Sequence, residues 1–527
     1  MHKLLLTIFS LSFLIFSPSL ATAAENAQQP MEKSAGGLSM RATPSEAALA
    51  PGAEVEIHIM LTVKAPVIAP ADERPALNVA LVIDRSGSMS DSGKLNYAVR
   101  AGKEVVRILG PNDKFALIAY DDEVKVLSAL APIKDKAKLN KLLEGLEPGG
   151  YTFLSGGLEA GVNQLKNSGS QGLNRVILLS DGLANRGVTE AKAVGNMGAS
   201  ARDKGITVSA MGLGLDYDEN LMQHLAQRGG GQYSYIRDSE DLPGFFRQEL
   251  ALAAESATKD LKLRFVPGKS MKDIKVYGYT TAEDKQPGTV IEMGDMYSGE
   301  ERQVLIRATL TPGSAGSQEL GTAQLSFSPV DSKETQTIDL PVQAAVVAEE
   351  EARKTQNAQA EAQIQPVRES ALLLAAEEAH VAAMEAMQRG DKAAAQAIMG
   401  DARTSLAQAA PHNAAAANKM QALQADEERL DAAMLDVDLQ KDMSKRSKGS
   451  FYMSSQGKSQ SLMLQKGDKG AMVEKLQRTL AEQKLYSGPI DGVYSEEVET
   501  AVRAYQKQNS LDVDGIAGQR TMMSLGF

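Results

Sequence analysis

The sequence predicts a multidomain α/β protein in which a doubly wound parallel-sheet domain is inserted in a β-sandwich. Continuous apolar runs, such as Val79–Ile83 and Val176–Leu179, alternate with helix-period stretches such as Leu154–Leu165. That βαβ order is typical of a parallel sheet covered on both faces. On either side of it the apolar residues alternate with polar ones, as between Val55 and Val63, which indicates half-buried strands. An α-helical region and a small three-helix domain complete the predicted fold.

The first 23 residues are predicted to be a signal peptide. A short basic start is followed by the apolar run from Leu4 to Ile15 and by the small residues Ala21-Thr-Ala23. The run is too short to span a bilayer comfortably, so we expect an exported chain that is cleaved near Ala23. No later stretch approaches about 18 consecutive apolar residues, and we expect no transmembrane segment in the mature chain.

Changes of composition divide the remaining chain into predicted units. Residues 24–39, rich in Ala, Gln and Ser, are expected to form a flexible leader. Alanine, glutamine, glutamate and methionine dominate the helical region, and a Ser- and Lys-rich stretch after it is interpreted as a polar linker. The boundaries are 40–75 and 257–345 for the β-sandwich, 76–256 for the doubly wound domain, 346–443 for the helical region, 444–461 for the linker and 462–527 for the C-terminal domain.

Composition also excludes several classes of function. The 527 residues contain no cysteine, which rules out disulfides, thiolate metal sites and a cysteine nucleophile. A net charge of −11 argues against nucleic acid as the main partner. No His-Glu-x-x-His or Gly-x-Ser-x-Gly motif is found, His380 is interpreted as an ordinary helix residue and Glu377 as solvated surface. We therefore predict that the protein is not an enzyme.

A carboxylate and two hydroxyls directly follow a buried strand, in the segment Asp84-Arg-Ser86-Gly-Ser88. Ligands of an open α/β sheet bind at the carboxyl ends of its strands. Thr152 precedes a predicted helix and Asp181 ends another apolar strand, so we expect both to lie at the same edge. Oxygen side chains of this kind suit a hard cation such as Mg²⁺.

This pattern resembles a von Willebrand factor A (VWA) domain with its metal-ion-dependent adhesion site (MIDAS), over the whole of the predicted doubly wound domain. The resemblance implies that Ser86 and Ser88 bind the metal directly and Thr152 directly or through water. It implies that Asp84 and Asp181 act mostly through waters. The cation, Mg²⁺ or else Mn²⁺ or Ca²⁺, would keep an open position for an Asp or Glu of a protein partner.

A second motif in the same segment fails. From Gly87 to Lys94 the sequence imitates a phosphate-binding loop. Five residues separate its glycines, however, and Leu95 stands where a serine or threonine is needed. We therefore assign no nucleotide site to this segment.

The C-terminal domain contains two turn signals, Asp491-Gly492 and Asp514-Gly515. With the helix-period runs around them, they closely resemble a peptidoglycan-binding domain of the type appended to bacterial wall hydrolases. The first corner departs from that pattern, because Ser495 and Val498 stand where glycine and threonine are usual. The resemblance implies that the four corner residues set the turns and that the domain binds peptidoglycan.

These observations predict a non-enzymatic scaffold protein of the cell envelope. The VWA metal site would bind an acidic side chain of a protein partner, while the C-terminal domain tethers the chain to peptidoglycan. The expected location is the periplasm, associated with peptidoglycan. The alternative is a secreted or surface adhesin that binds host or matrix proteins through the same metal site, and cell fractionation would separate the two.

Overall fold

The computed structural model describes most of the chain after residue 30. The described ranges are 31–66, 75–166, 172–236, 256–348, 358–456 and 464–525, with short gaps inside several of them, and the isolated positions 246, 249 and 250. The predicted signal peptide and Asp514 lie outside the described residues.

The strands of the described residues form three sheets. In chain order they are β1 (Met31–Ala35), β2 (Leu38–Pro44), β3 (Ala48–Leu49), β4 (Val55–Lys64), β5 (Leu77–Asp84), β6 (Lys114–Tyr120), β7 (Val124–Pro132), β8 (Leu173–Ser180), β9 (Ile206–Leu213), β10 (Gly230–Ile236), β11 (Ser256–Pro267), β12 (Met271–Val276), β13 (Thr281–Ala282), β14 (Thr289–Tyr297), β15 (Glu301–Leu310), β16 (Gly316–Pro329) and β17 (Gln336–Val346).

Five described helices belong to the doubly wound domain, four to the helical region and three to the C-terminal domain. They are α1 (Lys94–Ile108), α2 (Lys136–Glu144), α3 (Leu154–Leu165), α4 (Ala191–Arg202), α5 (Glu219–Arg228), α6 (Ala358–Gln388), α7 (Lys392–Leu406), α8 (Ala414–Ala433), α9 (Val437–Ser455), α10 (Ala471–Glu482), α11 (Glu496–Gln508) and α12 (Gln519–Ser524). A 3₁₀ helix spans Gly87–Gly93. No helix in the described part of the chain has the length and apolar character needed to cross a bilayer.

The inserted domain is a doubly wound sheet with the strand order β10-β9-β8-β5-β6-β7. All its neighbouring strands pair in parallel except β7, which lies antiparallel at one edge. Every residue of the central strand β5 is buried, because α1 and α2 cover one face of the sheet and α3, α4 and α5 cover the other. The predicted fold of this domain is confirmed.

Two further sheets enclose the core of the β-sandwich. Their strand orders are β1-β2-β4-β15-β12 and β13-β14-β11-β16-β17-β3. The sandwich is built from both sides of the insertion, since β4 pairs along its length with β15, from Val55 opposite Leu310 to Lys64 opposite Glu301. The prediction that the doubly wound domain is inserted in a sandwich is therefore confirmed.

The prediction of a flexible leader is wrong for residues 31–39. Residues 31–35 and 38–44 form a hairpin, and β2 pairs with β4 from Ser39 opposite Lys64 onward. Leu38, Met40 and Ala42 alternate into the sandwich core and are fully buried. Their burial holds the segment in place.

The prediction of a polar linker is also wrong for residues 444–455, because these residues belong to α9. This helix lies against the edge of the doubly wound domain, where Tyr452 packs edge-on against Tyr233 of β10 with 5.6 Å between ring centroids. Lys445 and Lys448 each place their ammonium group within 3 Å of Glu219, at 2.8 and 2.9 Å. The polar residues of this stretch therefore form a buried ionic contact between domains instead of facing solvent.

The helical region contains a buried polar chain. Lys419 of α8 donates to Glu377 of α6 at 2.6 Å, and its ammonium lies 2.8 Å from the Nδ1 of His380. Ser450 of α9 donates to the other oxygen of Glu377 at 2.9 Å. Glu377 is only 3% exposed, so the interpretation of this residue as solvated surface is wrong. Burial lowers the pKa of His380, and Lys419 lowers it further while Asp426 opposes the shift.

We predict that the Glu219→Gln substitution loosens α9. Burial by itself would raise the pKa of Glu219, but Lys445 and Lys448 lower it from 4.5 to about 2. The ionised carboxylate therefore stabilises the docked helix at any pH above about 4.5, and this contribution is lost as the pH falls toward 2. At neutral pH the substitution should cost about 2 kcal/mol, equivalent to roughly 30-fold faster amide exchange in α9.

Hydrogen–deuterium exchange of residues 437–455 measures this effect. Glu144→Gln is the matched control, because it removes a surface ion pair with Lys103 on the far side of the doubly wound domain. The difference between wild type and the Glu219 variant should shrink below pH 4.5. Equal exchange of α9 in the two proteins at neutral pH would show that the ion pairs do not hold the helix.

Candidate metal site of the doubly wound domain

Asp84 ends β5 and is fully buried. One carboxylate oxygen accepts from the backbone N–H of Ser86 at 2.8 Å, and the other accepts from the hydroxyl of Ser180 at 2.7 Å. The Tyr120 hydroxyl approaches the second oxygen at 3.3 Å. Burial raises the pKa of Asp84 to about 6, and Asp181 adds to the shift while the hydrogen bonds from the two serines oppose it. The carboxylate is thus held in one orientation at the end of its strand.

Ser86, Ser88 and Asp181 form a short chain of oxygen atoms beside Asp84. The two serine hydroxyls lie 3.3 Å apart, and Ser88 donates to Asp181 at 2.7 Å. The sharp turn that presents both hydroxyls depends on Gly87, since a Cβ there would lie 3.3 Å from the carbonyl oxygen of Gly149. The N–H of Gly87 donates to the Gly150 carbonyl at 3.0 Å and ties the turn to the next loop.

Thr152 reaches the same place from the loop before α3. Its backbone N–H donates to the side chain of Asn185 at 2.8 Å, and the N–H of Asn185 donates back to the Thr152 carbonyl at 3.2 Å. Gly182 lies between the hydroxyls, because a Cβ at that position would be 3.3 Å from both Ser88 Oγ and Thr152 Oγ1. The structure therefore brings together all five residues that the sequence singled out. Their role as metal ligands stays a prediction.

The donor set fits a hard divalent cation. Two carboxylates and three hydroxyls converge at the carboxyl ends of β5 and β8, and we call this place the carboxyl edge. Mg²⁺, Mn²⁺ and Ca²⁺ prefer oxygen ligands in proteins. The described residues contain no group of three or more His, Cys, Asp or Glu side chains that could hold a metal. A site at the carboxyl edge would therefore depend on neutral hydroxyls for most of its direct ligands.

Lys94 is a functional residue that the sequence reasoning missed. Its ammonium group lies 2.8 Å from the second oxygen of Asp181, and the two side chains are 11% and 0% exposed. Lys94 is the first residue of α1, where the helix dipole disfavours a cation. The pairing with Asp181 offsets this unfavourable position, and because the two residues are 87 positions apart, no local sequence signal reveals it.

The C-terminal domain has a different kind of candidate site, built on its two corners. Gly492 and Gly515 have φ values of +69° and +73°, which only glycine adopts without strain. The N–H of each donates at 2.9 Å to a buried glutamine, Gln477 in the first corner and Gln506 in the second. Gln477 also donates to Asp491 at 2.8 Å, and this bond lowers the pKa of the aspartate.

The unusual Ser495 has a structural role at the first corner. It is the N-cap of α11, and its hydroxyl accepts from the N–H of Val498 at 3.4 Å. The serine hydroxyl accepts a hydrogen bond from one of the free N–H groups at the start of the helix, whereas glycine has no side chain that could do so. The departure from the usual pattern is therefore compatible with the fold of the domain.

Two family models match this chain, one for each of the domains that carry the candidate sites. Residues 78–248 match the family model of the von Willebrand factor type A domain. This range contains nearly all of β5, the strands from β6 to β10 and all five predicted metal ligands. The chain contains a VWA domain. Residues 469–525 match the peptidoglycan binding domain family. The recognition of both domains from the sequence is confirmed.

Two bacterial proteins are similar to this chain at low sequence identity. The uncharacterized protein YfbK of Escherichia coli is 27% identical over 257 residues, which are 47% of this chain and 44% of YfbK. The uncharacterized protein sll0103 of Synechocystis is 23% identical over 66% of this chain and 82% of its own length. The chain thus spans less than half the length of YfbK.

Solved structures show the same fold. A von Willebrand factor type A protein from Catenulispora acidiphila superposes with a TM-score of 0.56 at 19% identity, over 75% of this chain and 91% of that one. The ArnB paralog VWA2 from Sulfolobus acidocaldarius superposes with a TM-score of 0.50 at 17% identity, over 80% and 99%. Both alignments extend well beyond the VWA domain, which is about a third of this chain, so the fold likeness includes parts of its surroundings.

We predict that the Lys94→Met substitution destabilises the VWA domain in the absence of divalent cations. It leaves Asp181 buried without its counter-charge, which should cost about 3 kcal/mol. A cation bound at the carboxyl edge would replace the missing charge, so Mg²⁺ should restore most of the loss. Thermal unfolding in EDTA and in saturating Mg²⁺ measures both effects.

Lys103→Met is the matched control, because Lys103 lies on the same helix and forms only an exposed ion pair with Glu144. It should change the unfolding temperature little in either buffer. If the Lys94 variant were equally destabilised with and without Mg²⁺, Lys94 would contribute only packing, and no cation would substitute for it.

Proposed function

We propose that this chain is a non-enzymatic, exported scaffold protein of the bacterial envelope. The VWA domain binds an acidic side chain of a protein partner through a divalent cation, and the C-terminal domain attaches the chain to peptidoglycan. The observation that carries the proposal is the convergence of Asp84, Ser86, Ser88, Thr152 and Asp181 at one edge of the sheet. The peptidoglycan binding domain at residues 469–525 supports an envelope location.

The charges at the carboxyl edge favour binding over catalysis. When bound, the cation supplies an electron-poor position that a carboxylate of another protein can fill. Ser86, Ser88 and Thr152 contribute neutral hydroxyls and add no negative charge. Lys94 neutralises Asp181 at 2.8 Å. Among the five predicted ligands, only Asp84 is then a carboxylate without a paired ammonium group, so an added cation would keep most of its positive charge for the partner.

One experiment tests both halves of the proposal. Wild-type protein is mixed with isolated peptidoglycan sacculi and an envelope extract, in Mg²⁺ or in EDTA, and the sacculi are sedimented. The chain itself should sediment in both buffers, because the C-terminal domain does not depend on the metal. Additional envelope proteins should sediment with it only in Mg²⁺.

Two variants complete the experiment. Asp84→Ala/Asp181→Ala, with its fold verified by circular dichroism, should sediment normally but bring down no additional protein. A chain that lacks residues 464–527 should stay in the supernatant. If wild type stayed in the supernatant, the tether would be excluded. If EDTA and the double substitution had no effect on the co-sedimenting proteins, binding through the metal would be excluded.

A further inference from the structure

Large apolar side chains are exposed to solvent at the end of the VWA sheet that contains the carboxyl edge. Among the residues that the structure describes, eight large hydrophobic side chains are exposed. Three of these lie on the loops of the carboxyl edge and two lie where α8 meets α9, at the same end of the VWA sheet, and we call the five together the apolar rim. They are Tyr151, Leu183, Val188, Leu435 and Val437, which are 62%, 60%, 40%, 92% and 63% exposed. A concentration of this kind marks an interaction surface, because isolated exposed side chains would be scattered.

The first part of the rim lies on the two loops that carry the predicted ligands. Tyr151 directly precedes Thr152, and Leu183 follows Asp181 by two positions. The reciprocal hydrogen bonds between Thr152 and Asn185 join the two loops. The backbone N–H of Tyr151 donates to the Asp122 side chain. These bonds fix the backbone of both loops and so keep Tyr151 and Leu183 beside the predicted ligands.

The second part of the rim is the turn between α8 and α9, which carries Leu435 and Val437. The helix α9 runs antiparallel to β10, because Asp442 bonds to Tyr235 near the end of the strand while Tyr452 packs on Tyr233 nearer its start. Val437 precedes Asp442 by five residues and therefore lies about 7 Å beyond it, on the side of the carboxyl edge.

The turn lies at the same end of the VWA sheet as the predicted metal ligands. Its strand neighbour β10 is two strands from β8, a lateral distance of about 10 Å. Lys441, in the first turn and a half of α9, pairs at 2.8 Å with Asp216, which follows the end of β9. The α8–α9 turn thus lies at the same end of the sheet as Asp181, near the edge strand β10.

We propose that the apolar rim and the carboxyl edge form one docking surface for a protein segment in which an aspartate or glutamate is flanked by large apolar side chains. This inference rests on the proposed function, since the carboxylate is taken by a cation at the edge. Charge complementarity places the acidic side chain at the cation. The rim then buries the apolar neighbours of that side chain and selects among acidic segments.

Two short peptides test the proposal, both acetylated and amidated so that a single aspartate is their one carboxylate. In the first the aspartate is flanked by leucine and phenylalanine, and in the second by serine and glycine. Fluorescence anisotropy with the full chain in Mg²⁺ should show roughly tenfold or greater preference for the apolar-flanked peptide, because each buried apolar side chain adds to binding. Both peptides should be released by EDTA.

Two double variants locate the preference. Tyr151→Ser/Leu183→Ser and Leu435→Ser/Val437→Ser should each reduce the preference, while the affinity for Mn²⁺, measured by calorimetry, stays unchanged. Val126→Ser is the matched control, because Val126 is 44% exposed but lies on the edge strand β7, outside the rim. If only the loop variant acts, the turn is excluded from the surface.

The remaining outcomes separate this inference from the proposed function. Equal, metal-dependent binding of both peptides would overturn the apolar rim and leave the metal-bridged function intact. Binding of neither peptide, or binding that survives EDTA, would overturn both. Tighter metal-dependent binding of isolated muropeptides than of either peptide would assign the edge to the cell wall and overturn the inference. Self-association that the rim variants abolish, seen by light scattering, would assign the rim to a second copy of this chain.

Discussion

The structure of the VWA domain depends on two carboxylates that are buried side by side at the ends of neighbouring parallel strands. Asp84 and Asp181 are both fully buried, and taking charge out of water is costly unless other groups compensate it. Hydroxyl donors and the Lys94 ammonium supply that compensation within the chain. Gly182 leaves room for these hydroxyls, since a Cβ there would lie 3.3 Å from both Ser88 Oγ and Thr152 Oγ1. A divalent cation would meet the same need from outside the chain.

Buried charge also organises the contact between the VWA domain and the helical region. Glu219, at the start of α5, pairs with two lysines of α9, and a separate hydrogen bond joins Tyr235 of β10 to Asp442 of α9. Through these bonds, α9 fixes the helical region on the edge of the VWA sheet. The helical region is thereby part of the surface that surrounds the carboxyl edge, and it does not act only as a spacer before the C-terminal domain.

Much of this could be predicted from the sequence, because the responsible signals are local. The apolar run that ends at Asp84 fixes a buried strand, and the strand fixes where the following hydroxyls must lie. Alternation between Val55 and Val63 predicts the half-buried strand β4, and the return of the same period after residue 257 predicts the other strands of the sandwich. The Asp-Gly pairs identified the two corners of the C-terminal domain, since the positive φ of Gly492 and Gly515 is a local requirement.

The features that were missed depend on contacts between distant parts of the chain. Lys94 and Asp181 are separated by 87 residues, and nothing near Lys94 in sequence reveals its partner. The lysines of α9 lie in a stretch with the composition of a polar linker. They form a contact between domains only because Glu219 of α5 lies beside them in the folded chain. Leu38, Met40 and Ala42 did alternate as a strand does, but the hairpin that they anchor is held by pairing with β4.

The most direct test of the central claim is a crystal structure of the full chain grown with Mn²⁺ and measured at the manganese absorption edge. The account predicts an anomalous difference peak between the hydroxyl oxygens of Ser86, Ser88 and Thr152, with Asp84 and Asp181 close enough to act directly or through water. A coordination position facing solvent beside Tyr151 and Leu183 should remain for a partner. A carboxyl edge without a peak at saturating Mn²⁺, with the Lys94–Asp181 pair intact, would contradict the account.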